Sequence, residues 1–197
     1  MPNYYSVNAQ AFFDGTVNVD MSSLYSAFLP VLPFGGAILD AGCGSGRDSH
    51  YFVGQGFAVT AFDASDAMVA LASEYSGLSV HHATFSTFTA PPASFDGIWA
   101  CASLLHVPAD ELHATFAHLA TLLKPEGLFY CSFKYGKEEV ERDGRRFTNL
   151  DEVGLGALLV DTLLTVKQTW ITGDLRPGRD HEKWLNALLV KRSDLVK

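Results

Sequence analysis

The chain has 197 residues, 48% of them hydrophobic and 18% charged, which is the balance of one ordinary globular domain and not of a disordered one. The net charge of −8 argues against a broad nucleic-acid footprint, since that would need a basic face. No window is apolar enough to span a bilayer, and the opening "MPNYYSVNAQAFFDG" lacks the basic-then-apolar pattern of a signal peptide. The expectation is a cytoplasmic protein with no membrane or nucleic-acid partner.

In chain order, residues 4–34 read as two helical pieces, the second striped by Leu24, Phe28 and Leu32. "AILDA" at 37–41 reads as a first strand, and "GRDSHYFVGQG" as a helix closed by glycine. "FAVTAFDA" is a second strand carrying Asp63, and the helix after it has Ser65 as N-cap and Gly77 as its stop. "LSVHHATF" reads as a third strand and "FDGIWACAS" as a fourth, buried on both faces. "PADELHATFAHLATLLKPEG" is the clearest helix, with Leu112, Phe116, Leu119 and Leu123 on one stripe, followed by the strand "LFYCSFK".

Strand alternating with helix implies an α/β fold of the Rossmann-like, doubly wound kind, with a mostly parallel seven-stranded sheet. After a helix near 149–161, "LLTVKQTWI" and "KWLNALLVKR" leave room for only a loop between them, so they form a C-terminal antiparallel hairpin. The organisation expected is a single domain, with a helical cap at 1–34, a cofactor-binding core at 35–134, a candidate lid insertion at 135–148 and the C-terminal helix and hairpin at 149–197.

Cys43, Cys101 and Cys131 form no paired framework and read as small buried hydrophobes, and no metal-ligand spacing appears. The chemistry concentrates in "ILDAGCGSGRDS", residues 38–49. Gly42, Gly44 and Gly46 let the backbone approach a ligand where a Cβ would collide. The dinucleotide fingerprint G-x-G-x-x-G would need a third glycine at 47, and the residue there is Arg47, which counts against NAD. Asp40 would repel a pyrophosphate yet suits an ammonium group, and Asp63 can accept both hydroxyls of an adenosine ribose. Acid, glycine loop and second acid together point to an adenosine ligand bearing an amino acid, a description that S-adenosylmethionine fits.

Here "ILDAGCGSGRD" resembles the first motif of the class I S-adenosylmethionine-dependent methyltransferases, and "VTAFDAS" their acidic second motif. "FDGIWACASLLHVP" and "LLKPEGLFYCSFK" are similar to the fourth- and fifth-strand motifs, in the family's order over residues 37–134. Within the family the chain is most similar to small bacterial tellurite-resistance and thiopurine-type members. The resemblance implies S-adenosyl-L-methionine as cofactor and a small-molecule methyl acceptor. It implies Asp40, Gly42, Cys43 and Gly44 around the methionine portion, Asp63 on the ribose, and Ala64 and Met68 lining adenine and ribose. Cys101 and Ala102 would lie under the sulfonium. The acid that the family often carries after the third strand is missing from "HHATFSTF", so Thr84, Phe85 or Ser86 is expected at the adenine.

His106 follows the fourth strand at the crevice edge and is the candidate general base, against the plainer role of packing beside the cofactor. The segment "KYGKEEVERDGRRFTN" breaks the apolar pattern, and its Arg142, Arg145 and Arg146, with Tyr135 and Phe147, read as a substrate-gripping lid or as a solvated charged loop. Among these, Tyr135, Arg142 and Arg146 are the substrate candidates. Tyr4, Tyr5 and Phe12 are expected over the pocket, with Tyr5 toward the substrate. Arg176 and Arg179 read as a surface turn, and the three tryptophans as structural. The alternatives are a non-catalytic S-adenosylmethionine-binding module, a macromolecule methyltransferase, of which the amino-methylating DNA type is disfavoured by "CASLLH" where Asn/Asp-Pro-Pro-aromatic would follow the fourth strand, and an NAD-linked oxidoreductase. The methyl acceptor and the oligomeric state stay open.

Overall fold

A computed structural model describes residues 4–193, with backbone alone at Ser6; residues 1–3 and 194–197, included in the expected domain, lie outside it. The seven-stranded sheet has the spatial order β3-β2-β1-β4-β5-β9-β8. Its parallel part comprises β1 (Ala37–Ala41), β2 (Ala58–Asp63), β3 (His81–His82), β4 (Phe95–Ala100) and β5 (Leu123–Lys134). β9 (Lys183–Lys191) runs antiparallel between β5 and β8 (Leu164–Gly173), as the hairpin reading required. The third strand is shorter than its sequence implied: only His81 and His82 pair, because "ATFSTF" turns through hydrogen bonds among Thr84, Ser86 and Thr87.

Helices cover both faces because strand residues alternate sides. On one face Leu39, Ile98, Phe129, Phe133 and Leu189 pack with Phe116 and Leu119 of α6 (Ala109–Leu122) and Leu155 of α7 (Glu152–Leu158). On the other face Ile38, Trp99, Tyr130 and Leu188 meet Leu24, Tyr25 and Phe28 of α3 (Ser22–Phe28) and Phe52 of α4 (Arg47–Gly54). Trp99 and Tyr130 stack with centroids 3.9 Å apart. α5 (Asp66–Ser76) starts as expected, with the Ser65 side chain accepting from Met68 N–H, and ends at Gly77 in the left-handed region.

The ends are more broken than the sequence pattern suggested. α1 (Tyr4–Val7), α2 (Ala9–Thr16), α3 and a 3-10 turn at Leu29–Val31 replace two helical pieces. Residues 135–148 contain a two-stranded antiparallel hairpin, β6 (Glu139–Arg142) and β7 (Arg145–Thr148). Among the described residues no helix is long and apolar enough to cross a membrane.

Candidate active site

The order of strands reverses between β1 and β4, which opens a crevice at their carboxyl ends. The glycine loop fills it. Gly42 and Cys43 both donate N–H to Phe62 O at 3.0 Å, tying the loop to β2. Gly42 has φ +77°, and a Cβ there would sit 2.6 Å from Ser103 Cβ, so no other residue fits without moving the loop after β4. Gly46 differs from the expectation that all three glycines face a ligand. A Cβ on it would meet Ala72 at 3.0 Å, so it lets α4 and α5 pack closely. It does the work of the third glycine of the dinucleotide motif, one position early.

Asp63 joins this loop to β2. Its Oδ2 accepts from Gly44 N–H at 2.9 Å and its Oδ1 from Ser65 N–H at 2.9 Å. Each oxygen keeps a further acceptor site for a hydroxyl pair. Burial pushes the Asp63 carboxyl up, against the backbone donors that hold it down.

Two cavities meet over the loop. The first, of about 450 Å³, is lined by Asp63, Ala64, Met68, Thr84, Phe85 and Ser86. The second, of about 500 Å³, runs past Cys43, Arg47 and Cys101 to Ser132, Lys134 and Trp184. Tyr5, Phe12, Gly42, Gly44, Ala102, His106 and Arg145 border both. Ala102 itself sits at φ +51° while its N–H donates to Ser132 Oγ at 2.8 Å, a strained conformation placed at the junction. Cys43 and Cys101 face the second cavity as thiols, because burial pushes both up, Cys101 to about 12.

His106 is fixed on both nitrogens. Nδ1 lies 2.7 Å from Arg146 O, which can only accept, so the neutral ring carries its proton on Nδ1. Nε2 is then the lone-pair nitrogen, and the Tyr5 hydroxyl donates to it at 2.8 Å. Burial, with the charges of Arg145 and Lys134, holds His106 below its ordinary value, outweighing the carbonyl contact. The β6–β7 hairpin thus supplies the base candidate with its anchor. It also aims Arg142 into the second cavity and Arg146 into the first, the latter 3.6 Å from Glu139.

Two expected site residues stand elsewhere. Asp40 lines neither cavity: strand alternation turns it under α4 beside Trp99, 2% exposed, where it accepts from Ser49 Oγ at 2.6 Å. Burial and then the charge of Asp48 push its carboxyl up to about 8, so it is no ready partner for an ammonium group. Tyr135 also lies outside both cavities, with its hydroxyl donating to Glu152 Oε2 at 3.0 Å on the first turn of α7. Conversely, the Arg176 region is no plain surface turn. Arg176 pairs bidentately with the buried Asp174, whose Oδ2 also accepts from Trp184 Nε1 at 3.3 Å, and all three line the second cavity.

Sequence reasoning passed over Asp48 and the central place of Arg145. The Asp48 carboxylate accepts from Tyr25 Oη (2.5 Å), Arg47 Nε (2.7 Å), Arg47 Nη2 (2.9 Å) and Trp99 Nε1 (2.8 Å). Burial would raise it, but Arg47 and the neutral donors hold it below the usual carboxylate range. For Arg145 a signal existed: in a strand, 145 and 147 share a side, which puts Arg145 with Phe147.

The fold is the Rossmann-like architecture of class I methyltransferases, an α/β sheet finished by antiparallel strands. Residues 38–127 match the family model of the methyltransferase domain. A ubiquinone biosynthesis O-methyltransferase of Paramagnetospirillum magneticum is 35% identical over 102 residues, covering 49% of this chain and 40% of that protein. The match therefore spans about two fifths of the curated relative's length. The 1,6-didemethyltoxoflavin-N1-methyltransferase of Burkholderia thailandensis, solved with 1,6-didemethyltoxoflavin and S-adenosylhomocysteine, superposes with a TM-score of 0.74 at 24% identity, over 96% of this chain and 84% of that one. The magnesium protoporphyrin IX methyltransferase of Synechocystis PCC 6803, solved with S-adenosylmethionine, gives 0.65 at 22% identity, over 95% and 81%.

Proposed function

We propose that the protein is an S-adenosylmethionine-dependent methyltransferase acting on a small molecule. The observation that carries this reading is the junction of the two cavities. One is bounded by Asp63 and the glycine loop, the other is a separate chamber, and they meet only at Gly42, Gly44, Ala102, His106 and the side chains over them. A nucleoside in the first and an acceptor in the second would bring their reacting ends together at that junction. The glycine loop fits the cofactor, since its backbone borders both chambers, and the spare acceptor sites of Asp63 suit a ribose diol. Two relatives are named for small-molecule methylation, which agrees with an acceptor cavity of about 500 Å³.

When bound, the cofactor supplies a methyl group already activated on a sulfonium. The chain then has to align the acceptor and exclude water, and such positioning is worth roughly 7–11 kcal/mol of barrier. Tyr5 and Phe12 close the junction from above. His106, neutral and with Nε2 toward the junction, takes the proton of a protic acceptor, and the Tyr5 hydroxyl yields its place on Nε2 or passes the proton along.

Calorimetric titration with S-adenosylhomocysteine tests the reading. The protein should bind it, and Asp63→Ala should weaken binding by about 100-fold or more, since two hydrogen bonds to a charged group are worth about 3 kcal/mol at least. Unchanged affinity in a folded variant would remove the ribose role. Binding with no methylated product across a broad acceptor screen would instead favour a non-catalytic module.

A further inference from the structure

The second cavity has a charge pattern that the whole chain does not. Against a net charge of −8, its lining carries six Arg or Lys side chains and four Asp or Glu. Most of the cations are already spoken for: Arg47 by Asp48 at 2.7 Å, Arg176 by Asp174 at 2.5 Å, and Lys134 by Glu182 at 2.6 Å. Glu182 also lies 3.9 Å from Arg179.

Arg145 is held differently. Its guanidinium lies 4.0 Å from the Tyr4 ring centroid and 5.2 Å from that of Phe147, so aromatic faces rather than an acid fix it. Its nearest carboxylate, the exposed Asp143, is 3.8 Å away, beyond hydrogen-bonding distance. Burial raises the Tyr5 phenol, and the nearby Arg145 acts against it. The Arg145 side chain is 18% exposed, and its buried Nε–H has no acceptor among the described residues. With Nε sealed off, the guanidinium offers a ligand its Nη edge. A guanidinium covered on its faces can recognise a partner only through its edge, and a planar carboxylate matches that edge.

We propose that the methyl acceptor bears a carboxylate and that Arg145 grips it edge-on at the border of the two cavities. This rests on the methyltransferase reading above. Of the partly buried cations in this lining, Arg145 is the one with no carboxylate within hydrogen-bonding distance among the described residues, whereas Arg142 and Arg179 are exposed. Held there, the acceptor lies beside His106, which Arg145 approaches closely enough to depress its protonation. Arg145 is then a specificity residue, and Trp184 in the cavity wall packs against the acceptor's apolar body.

The test uses protein saturated with S-adenosylhomocysteine and compares benzoate with its neutral isostere benzamide by NMR titration. Benzoate should bind about tenfold tighter or more, and Arg145→Gln should abolish that preference while changing S-adenosylhomocysteine affinity less than about threefold. Arg145→Lys, which keeps the charge but not the fork, should retain only part of the preference. Equal binding of the two probes, binding of neither, or a preference that survives in Arg145→Gln overturns the proposal. So does a large loss of S-adenosylhomocysteine affinity in Arg145→Gln, which would assign the arginine to the cofactor's own carboxylate. Failure of the unmodified protein to bind S-adenosylhomocysteine is a separate result and rejects the methyltransferase reading itself.

Discussion

Asp48→Asn is the sharpest test of what holds the glycine loop's helix in place. The side chain is nearly isosteric, so the change removes charge and reverses one acceptor without opening a cavity. In the native protein the carboxylate takes four hydrogen bonds, and the Arg47 and Asp48 side chains are 18% and 7% exposed. Removing one partner of a buried ion pair costs about 3–5 kcal/mol, because the other charge is left uncompensated. That is a large share of the roughly 5–15 kcal/mol by which domains are stable. Urea unfolding followed by tryptophan fluorescence measures it, with Trp99 donating directly to this carboxylate; the midpoint should fall with the slope unchanged. The double change Arg47→Met with Asp48→Leu should recover much of the loss, since paired apolar replacement is often neutral. A loss below about 1 kcal/mol in Asp48→Asn would mean the pair behaves like an exposed one and would refute the reasoning. The sign with pH follows from the lowered carboxyl. Its contribution is present above the ordinary value of 3.8 and is lost as pH falls through the lower folded value, so the Asp48→Asn penalty shrinks in acid.

Asp40 has the opposite sign. Its folded value is pushed up to about 8 from 3.8, so its contribution is full below 3.8 and drains as pH rises toward 8. Asp40→Asn keeps an uncharged group there, so its stability relative to the unmodified protein should rise by about 1 kcal/mol or more between pH 5 and pH 8. A pH-independent difference in denaturant midpoints would show that Asp40 is ionised in the fold. For His106, the imidazole proton signals should titrate below the ordinary 6.5. Its stabilising contribution therefore holds above 6.5 and is lost as pH falls through the lower folded value. Tyr5→Phe removes the donor on Nε2 that favours the neutral ring and should move the titration upward. A midpoint at or above 6.5 in the unmodified protein would mean the ring is charged where a base must be neutral.

Much of this was legible in the chain because period and punctuation are local. Alternating apolar runs and helical stripes announce β1 to β5 and α4 to α6, and a loop too short for a crossover announces the antiparallel end. The glycine loop and Asp63 were readable for the same reason. The third strand was overread because "ATFSTF" has strand-like residues, while its hydroxyls prefer a turn. Asp40 was misplaced although its parity was available. Leu39 and Ala41 belong to one core, so Asp40 must face the other, under α4.

The sequence by itself determined the class of fold, the loop and the acid at the end of β2, since each depends on neighbours a few residues apart. Tertiary structure alone decided the electrostatics. Several buried polar groups find partners about 50 residues away, 51 for Asp48 with Trp99 and 48 for Lys134 with Glu182. Spacing carries no record of such contacts. Arg47 stood out in the sequence as the residue replacing a glycine, and packing makes it a neutralised strut. Arg145 was one of three similar arginines, and the rings of Tyr4 and Phe147 make it the one held in the cavity wall by aromatic faces.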